Sequence, residues 1–308
     1  MRVTALAGGT GAAKLLRGLA TLLGQRALTI VVNTGDDAEV WGLHVSPDLD
    51  TVTYALAGLL DTARGWGRAG ETFHCLAAMV TYGAPTWFNL GDRDLATHLA
   101  RTQALRAGRP LSAAAADIAV ALGASARILP MSDDAVRTRV RTPDGWLGFQ
   151  EYFVRDKAKA EVLDVLYAGA DTARPAPGVL AALADAELVV VCPSNPVTSV
   201  GPVLAVPGVV DALTAARAPV VAVSPIVGGA AVSGPAGALL RARGLEVSPV
   251  GVASAYTPWL DTLLVDPRDA GCADRLAGLG VRAVVADILM PDHDREIALA
   301  RRVIEAAS

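Results

Sequence analysis

The sequence predicts an α/β fold: a doubly wound, mostly parallel, Rossmann-like sheet with an inserted, largely helical subdomain. Three observations predict it. Short β-branched runs recur along 308 residues, each closing on Gly, Pro, Ser, Asn or Asp and running into a helical pattern, which implies parallel pairing through right-handed crossovers. The runs at 188–192 and 220–223 are apolar throughout, as strands buried on both faces must be. Between the early and late runs lies a long Ala/Leu-rich stretch, residues 50 to about 125, with helical rather than strand character.

Taken in order, Val3 to Ala7 is the first strand and leads into Gly8-Gly9-Thr10-Gly11, which opens a helix carrying Leu15, Leu16, Leu19, Leu22 and Leu23. Glycines let a backbone approach a phosphate and aim amide groups at it, helped by the helix N-terminus. A tight strand-to-helix turn would use the same residues. The loop is not a Walker loop, because Lys14 is not followed by Ser or Thr. It also lacks the third glycine of the dinucleotide fingerprint.

Leu28 to Val32 is the second strand, followed by Asn33-Thr34-Gly35-Asp36-Asp37 and then by Ser46-Pro47-Asp48-Leu49-Asp50-Thr51. Crowded carboxylates raise one another's pKa unless a cation or bonded donors hold them. Oxygen ligands of this kind suit Mg²⁺, which shares phosphate oxygens. A bland reading makes Asp36 a turn residue and Asp48 or Asp50 a helix N-cap. Farther on, Asn89-Leu90-Gly91-Asp92-Arg93-Asp94 precedes a helix with Asp94 as a plausible cap, and Leu129-Pro130-Met131-Ser132-Asp133-Asp134 is an acidic turn more structural than chemical in its spacing. Around 135–165, Phe149, Tyr152 and Phe153 mark short strands, and 170–178 reads as a re-entry loop. The expected division is a nucleotide-binding core of residues 1–50 and 166–308, with 51–165 inserted and contributing to the acceptor site.

The next strand, Leu188 to Cys192, ends in Pro193-Ser194-Asn195-Pro196-Val197-Thr198-Ser199, whose hydroxyls and amide are placed to meet a phosphate or a base. Val220 to Val223 leads to Ser224-Pro225, and weaker strands are expected at Leu263 to Val265 and Ala283 to Ala286. In such sheets ligands bind beyond the carboxyl ends of the strands, so these turns should share one edge.

Composition excludes other classes. With 52% hydrophobic and 19% charged residues and a net charge of −4, the chain is not disordered and has no basic footprint for nucleic acid. The three cysteines and four histidines show no metal-ligand spacing. No signal peptide or uninterrupted apolar span is evident, so the cytoplasm is the expected compartment, with no membrane partner.

Together these motifs, with Gly65-Trp66-Gly67, Phe149-Gln150-Glu151, Ser224-Pro225-Ile226 and Ser233-Gly234, resemble the 2-phospho-L-lactate transferase family of coenzyme F-420 biosynthesis, from residue 1 to about 290. Gly65-Trp66-Gly67 and Trp87-Phe88 look more like its bacterial branch, in which phosphoenolpyruvate takes the place of phospholactate. The resemblance implies an Mg²⁺-dependent transfer of a phosphoenolpyruvyl or 2-phospho-L-lactyl group from a guanosine diphosphate-linked donor to 7,8-didemethyl-8-hydroxy-5-deazariboflavin. The products are a (dehydro) coenzyme F-420-0 and GMP. It also implies deazaflavin contacts at Asp50 and Asn89, with Asn89 departing from the lysine of archaeal members, and with Thr10 beside them. Asp50 is the candidate catalytic base. The metal is expected on Asp36 and Asp50, with Asp37 and Asp48 as second choices. Gly9, Thr10, Gly11, Ser194, Asn195 and Ser199 would line the nucleotide and diphosphate path, and a homodimer is expected. The competing expectation, from a related family sharing the glycine loop, is a non-catalytic regulatory protein that binds a nucleotide sugar.

Overall fold

The computed structural model describes residues 1–307. Seven parallel strands form the central sheet: β1 (Val3–Ala7), β2 (Leu28–Val32), β3 (Arg127–Pro130), β4 (Leu188–Val191), β5 (Val220–Val223), β6 (Thr262–Val265) and β7 (Arg282–Val285). Their order across the sheet is β7-β6-β5-β4-β1-β2-β3. The chain builds outward from β1 in one direction, then returns to its other side at β4. The direction of winding therefore switches between β1 and β4, where the loops leaving the two strands part and open a crevice.

Register follows from burial on both faces. Val3, Ala5, Leu28, Ile30, Leu188 and Val190 point into one apolar cluster; Leu6, Val31, Val189 and Val191 point into the other. Slipping a strand by one residue would exchange the two sets, but both faces are covered, so hydrogen-bond register is set by strand ends and side-chain volume rather than by polarity. Observed pairs such as Ala5↔Ile30 and Ala5↔Val190 keep small Ala5 between larger neighbours.

Helix α1 (Gly9–Leu23) packs Leu15, Leu16 and Leu19 inward. It crosses the C-terminal helix His293–Glu305 at Gly18, where an added Cβ would lie well under 3.0 Å from the Glu296 carbonyl oxygen. Beside this crossing the buried Glu296 carboxylate takes Arg17 on one oxygen and His293 Nδ1, at 2.9 Å, on the other.

In the central sheet the strands expected from the sequence are present, and one was not foreseen. Arg127–Pro130 lies within the segment expected as an insertion, yet it pairs in parallel with β2 and forms the sheet edge. Helices α2 (Pro47–Leu56) and α5 (Leu111–Leu122) cover the same sheet, with Leu49, Val52, Leu111 and Ala115 in its apolar layer. Residues 51–165 thus contribute to the core as well as to the rim. What does project is α3 (His74–Thr81), which buries no residue, the helix α4 (Asp92–Arg106), and a three-stranded antiparallel sheet of 137–142, 145–148 and 164–168. Phe149, Tyr152 and Phe153, expected on short strands, instead lie in and just before the π-turn Glu151–Arg155, which follows the strand Gly145–Gly148. No helix among the described residues is long and apolar enough to cross a membrane.

Candidate active site

The crevice between β1 and β4 holds a cavity of about 450 Å³ lined by both of their loops, within the size range of small-ligand sites. Gly9 turns at φ 72° as α1 begins. Gly11 sits so close to the β4 loop that a Cβ there would fall well under 3.0 Å from the Pro193 carbonyl oxygen. Ser194 ties the two loops together: its hydroxyl donates to the Gly8 carbonyl at 2.8 Å and accepts the Gly8 N–H at 3.3 Å. The Asn195 side chain accepts the N–H groups of Val197 and Thr198, capping the π-turn 196–200 that carries Ser199. Thr10 donates to the Gly65 carbonyl at 2.9 Å and so joins the glycine loop to the Gly65-Trp66-Gly67 segment. Gly9, Thr10, Gly11, Ser194, Asn195, Ser199 and Asn89 all line this cavity.

The four aspartates are all buried, and they divide into unlike groups. Asp48, in the first turn of α2, lies against the glycine loop and accepts Asn33 Nδ2 at 2.9 Å. Burial pushes its pKa up to about 6, against the hydrogen bonds from Asn33 and Gly9. Asp36 is held well above the usual carboxylate range, first by burial and next by the Asp48 charge. Its Oδ1 has no hydrogen-bond partner, and no Lys or Arg pairs with Asp36 or Asp48 among the described residues. Asp37 faces elsewhere: its Oδ2 receives Ser46 Oγ at 2.8 Å and lies 2.9 Å from His44 Nε2. It does not line the cavity.

Asp50 lies farther along α2 than Asp48, on another side of the helix, and belongs to a separate group. Arg101 of α4 grips it with both terminal nitrogens, Nη1 at 3.1 Å from Oδ2 and Nη2 on Oδ1. His98 bridges Asp50 and Asp94, Nδ1 lying 3.6 Å from the first and Nε2 3.5 Å from the second. The Tyr54 hydroxyl donates to Asp94 at 2.6 Å. Burial pushes the Asp50 carboxyl up in spite of Arg101 and His98. At Asp94, desolvation is outweighed by hydrogen bonds from His98 and Tyr54, and the carboxyl is lowered.

Sequence reasoning missed Tyr54, His98 and Arg101. A signal was present: α4 buries Asp94, Thr97, His98, Arg101 and Thr102, a polar stripe at helical spacing where an ordinary helix buries an apolar one. Asp94 is no N-cap, since the helix begins at Asp92. Asp92 instead accepts the N–H groups of His74 and Cys75, capping α3. Asp133 likewise accepts Ser112 at the start of α5, a structural role for that acidic turn.

Aromatic side chains face the aspartates. Phe149 and Phe153 stack with centroids 5.5 Å apart and planes 10° from parallel, and Trp66, Phe88 and Tyr54 line the same cavity. A second hollow, also about 450 Å³, opens on the far side of Thr10, Gly11, Pro193 and Asn195. Lys14, Ser224, Pro225 and Met290 are among its walls.

Comparison with known proteins gives the family. Residues 3–302 match the family model described as 2-phospho-L-lactate transferase CofD. A phosphoenolpyruvate transferase of Kitasatospora aureofaciens is 48% identical over 316 residues, covering 100% of this chain and 98% of the relative. A 2-phospho-L-lactate transferase of Methanosarcina barkeri is 43% identical, covering 96% of each. A crystal structure of a UPF0052 family member from Bacillus halodurans superposes with a TM-score of 0.66 over 98% of both chains at 18% identity, a likeness of fold. The chain belongs to the 2-phospho-L-lactate transferase family.

Proposed function

From that membership and the geometry of the crevice, we propose that this transferase moves a phosphoenolpyruvyl or 2-phospho-L-lactyl group from a guanosine diphosphate-linked donor to 7,8-didemethyl-8-hydroxy-5-deazariboflavin. The observation that carries the reading is the join of two unlike hollows at one glycine loop. One has flat aromatic walls suited to a fused ring and buried carboxylates beside the glycine loop, and the other has polar and apolar walls suited to a nucleoside. The relative from Kitasatospora, named a phosphoenolpyruvate transferase, favours phosphoenolpyruvate as the donor's acid.

In this reading the deazaflavin ring lies against Phe149, Phe153 and Trp66, and its ribityl chain runs inward toward Asp50. The terminal hydroxyl attacks the phosphorus that bears the three-carbon acid. The new P–O bond forms as the bond to the GMP phosphate breaks, and GMP leaves with the bond electrons. The hydroxyl proton passes to Asp50, whose raised pKa makes it a better proton acceptor than an exposed carboxylate. Backbone N–H groups of Thr10 and Gly11 and the hydroxyl of Ser199 steady the diphosphate, with Gly9, whose N–H bonds Asp48, turning the loop toward it, since phosphoryl-type transfer is largely positioning and charge neutralisation.

The residues present fit a divalent cation. Asp36 and Asp48 are buried, raised in pKa and without a protein cation, and Asp36 Oδ1 is unpartnered. These two are the proposed holders, in place of the pair Asp36 and Asp50 expected from the sequence, because Arg101 already occupies Asp50. Mg²⁺ bound there would supply neutralisation of the donor diphosphate.

The test is an assay of the purified protein with the deazaflavin, Mg²⁺ and each donor, the products weighed by mass spectrometry. Formation of a phosphoenolpyruvyl or phospholactyl ester with release of GMP is expected. No product from either donor, together with binding of a nucleotide sugar and indifference to the deazaflavin, would replace this reading with a regulatory one.

A further inference from the structure

Two carboxylate pairs face one cavity, and they are neutralised differently. Asp36 and Asp48 pair with no Lys or Arg among the described residues. Asp50 and Asp94 have Arg101, which is 1% exposed and shares its terminal nitrogens between the two Asp50 oxygens. Ligand atoms of Asp50, Asp94 and His98 lie within 4.8 Å of one another, the outline of a cation site. A divalent ion placed there would face the guanidinium charge with little water between them, and the repulsion at such range is strong in a buried setting. The guanidinium stands beside this cluster, bonded to Asp50 and within 3.4 Å of His98 Nδ1.

We infer that Arg101 is a positioning residue for the transfer: it fixes Asp50 as a hydrogen-bond acceptor for the alcohol of the acceptor substrate and confines the divalent ion to the Asp36–Asp48 side. The inference rests on the transferase reading above. A carboxylate offers about four lone-pair positions, and a bidentate guanidinium takes two of them. Those left over can meet the incoming hydroxyl from the cavity that Asp50 lines. A metal ligand in the same position would be a weakened proton acceptor, whereas a carboxylate held by hydrogen bonds keeps free lone pairs in a set direction. Arg101 itself does not line the cavity, so its influence passes through Asp50. Its Nη1 also reaches the His44 carbonyl at 3.4 Å and, one turn back on its own helix, His98 Nδ1 at 3.4 Å, which anchors the grip further.

The experiment compares wild type, Arg101→Lys and Asp36→Asn by three readouts: Mn²⁺ binding by electron paramagnetic resonance, deazaflavin binding by fluorescence, and the separate KM values for deazaflavin and donor. A lysine keeps the charge and loses the second contact. Arg101→Lys is expected to weaken deazaflavin binding and raise its KM about tenfold, the scale of a lost hydrogen bond to a charged group. Mn²⁺ affinity and the donor KM stay at wild-type values. Asp36→Asn shows the opposite pattern, with Mn²⁺ binding lost and deazaflavin binding kept. Loss of Mn²⁺ binding in Arg101→Lys to the extent seen in Asp36→Asn would overturn the inference, as would unchanged deazaflavin affinity.

Should Arg101→Lys fail to fold, Asp50→Asn combined with Arg101→Gln removes both charges of the ion pair and leaves Asp94 with its bond from Tyr54 and its contact with His98. That double variant is expected to fold, bind Mn²⁺ normally and bind deazaflavin weakly; its failure to fold would assign the pair to stability alone and overturn the positioning role. Wild type that makes no product sinks the transferase reading itself. Active wild type with unaltered deazaflavin binding in the Arg101 variants sinks only this inference.

Discussion

Replacing Asp48 by Asn should make the metal-free protein less sensitive to pH. Burial raises the Asp48 carboxyl from 3.8 to about 6. Because the folded pKa exceeds the unfolded one, the associated stability is fully present below pH 3.8 and is lost as pH rises through about 6. The rise is roughly two pKa units, and at about 1.36 kcal/mol per unit it amounts to about 3 kcal/mol, the cost of holding the ionised carboxylate in place at neutral pH. Asp36 is raised alongside it and opposes it electrostatically, so the two titrate together and broaden the window. The substituted amide would keep a polar group facing Asn33 and carry no charge.

Calorimetric scans in a chelating buffer at several pH values between about 4 and 7.5 read the difference directly. The melting temperature of Asp48→Asn relative to wild type should climb with pH, by roughly 6 °C over the window for a chain of this size. Added Mg²⁺ should raise the wild type strongly at neutral pH by mass action on the ionised pair, and the variant much less. A difference that stays flat across the pH range, or equal stabilisation of both proteins by Mg²⁺, would refute the reasoning.

The glycines at two close approaches separate activity from stability. Gly11→Ala puts a Cβ against the Pro193 carbonyl and must part the two loops that line the crevice; kcat/KM should fall about 100-fold, the cost of an ångström-scale misplacement, as measured with saturating Mg²⁺ in the product assay. Gly18→Ala presses on the backbone at Glu296, far from the aspartates. Urea unfolding should show a loss of about 2 kcal/mol or more, with kcat/KM of the folded enzyme unchanged.

How much was legible in the sequence depended on whether neighbours in space were neighbours in the chain. β4 and β5 announce themselves because strands covered on both faces need apolar runs, and β1 and β2 do so with a single Thr each in otherwise apolar runs. β3 is only Arg-Ile-Leu-Pro, with a charge at one end and a residue without N–H at the other. An edge strand tolerates both, and neither reads as a strand. The glycine loop, the aspartates and the Pro-Ser-Asn-Pro turn were visible as motifs, since each sits within one strand-end loop. Their separate tasks were not visible. The property that divides Asp48 from Asp50 is an arginine fifty-one positions beyond the second, carried on a helix whose ligand-like spacing joins a histidine to a carboxylate rather than to another histidine.

That division also bears on the choice between a transferase and a sensor of nucleotide sugars. The sheet order and the crevice at the β1/β4 switch are matters of fold, and a fold hosts many functions. A sensor needs the glycine loop and the second hollow to hold a nucleotide. It has no use for a second carboxylate pair in the adjoining hollow, one of them gripped by a buried arginine. Buried ion pairs contribute little to stability compared with apolar residues of the same shape, so Arg101 and Asp50 are poorly explained as packing. They are well explained if a hydroxyl must arrive at a carboxylate whose direction is set and whose charge is not shared with a metal. Asp36 and Asp48, beside the glycine loop, would supply the complementary half: carboxylates that no Lys or Arg among the described residues pairs with, where a diphosphate and its cation would meet them. On the proposed reading, one cavity would keep proton acceptance and diphosphate neutralisation on different aspartates, a separation that transfer chemistry can use and simple binding does not need.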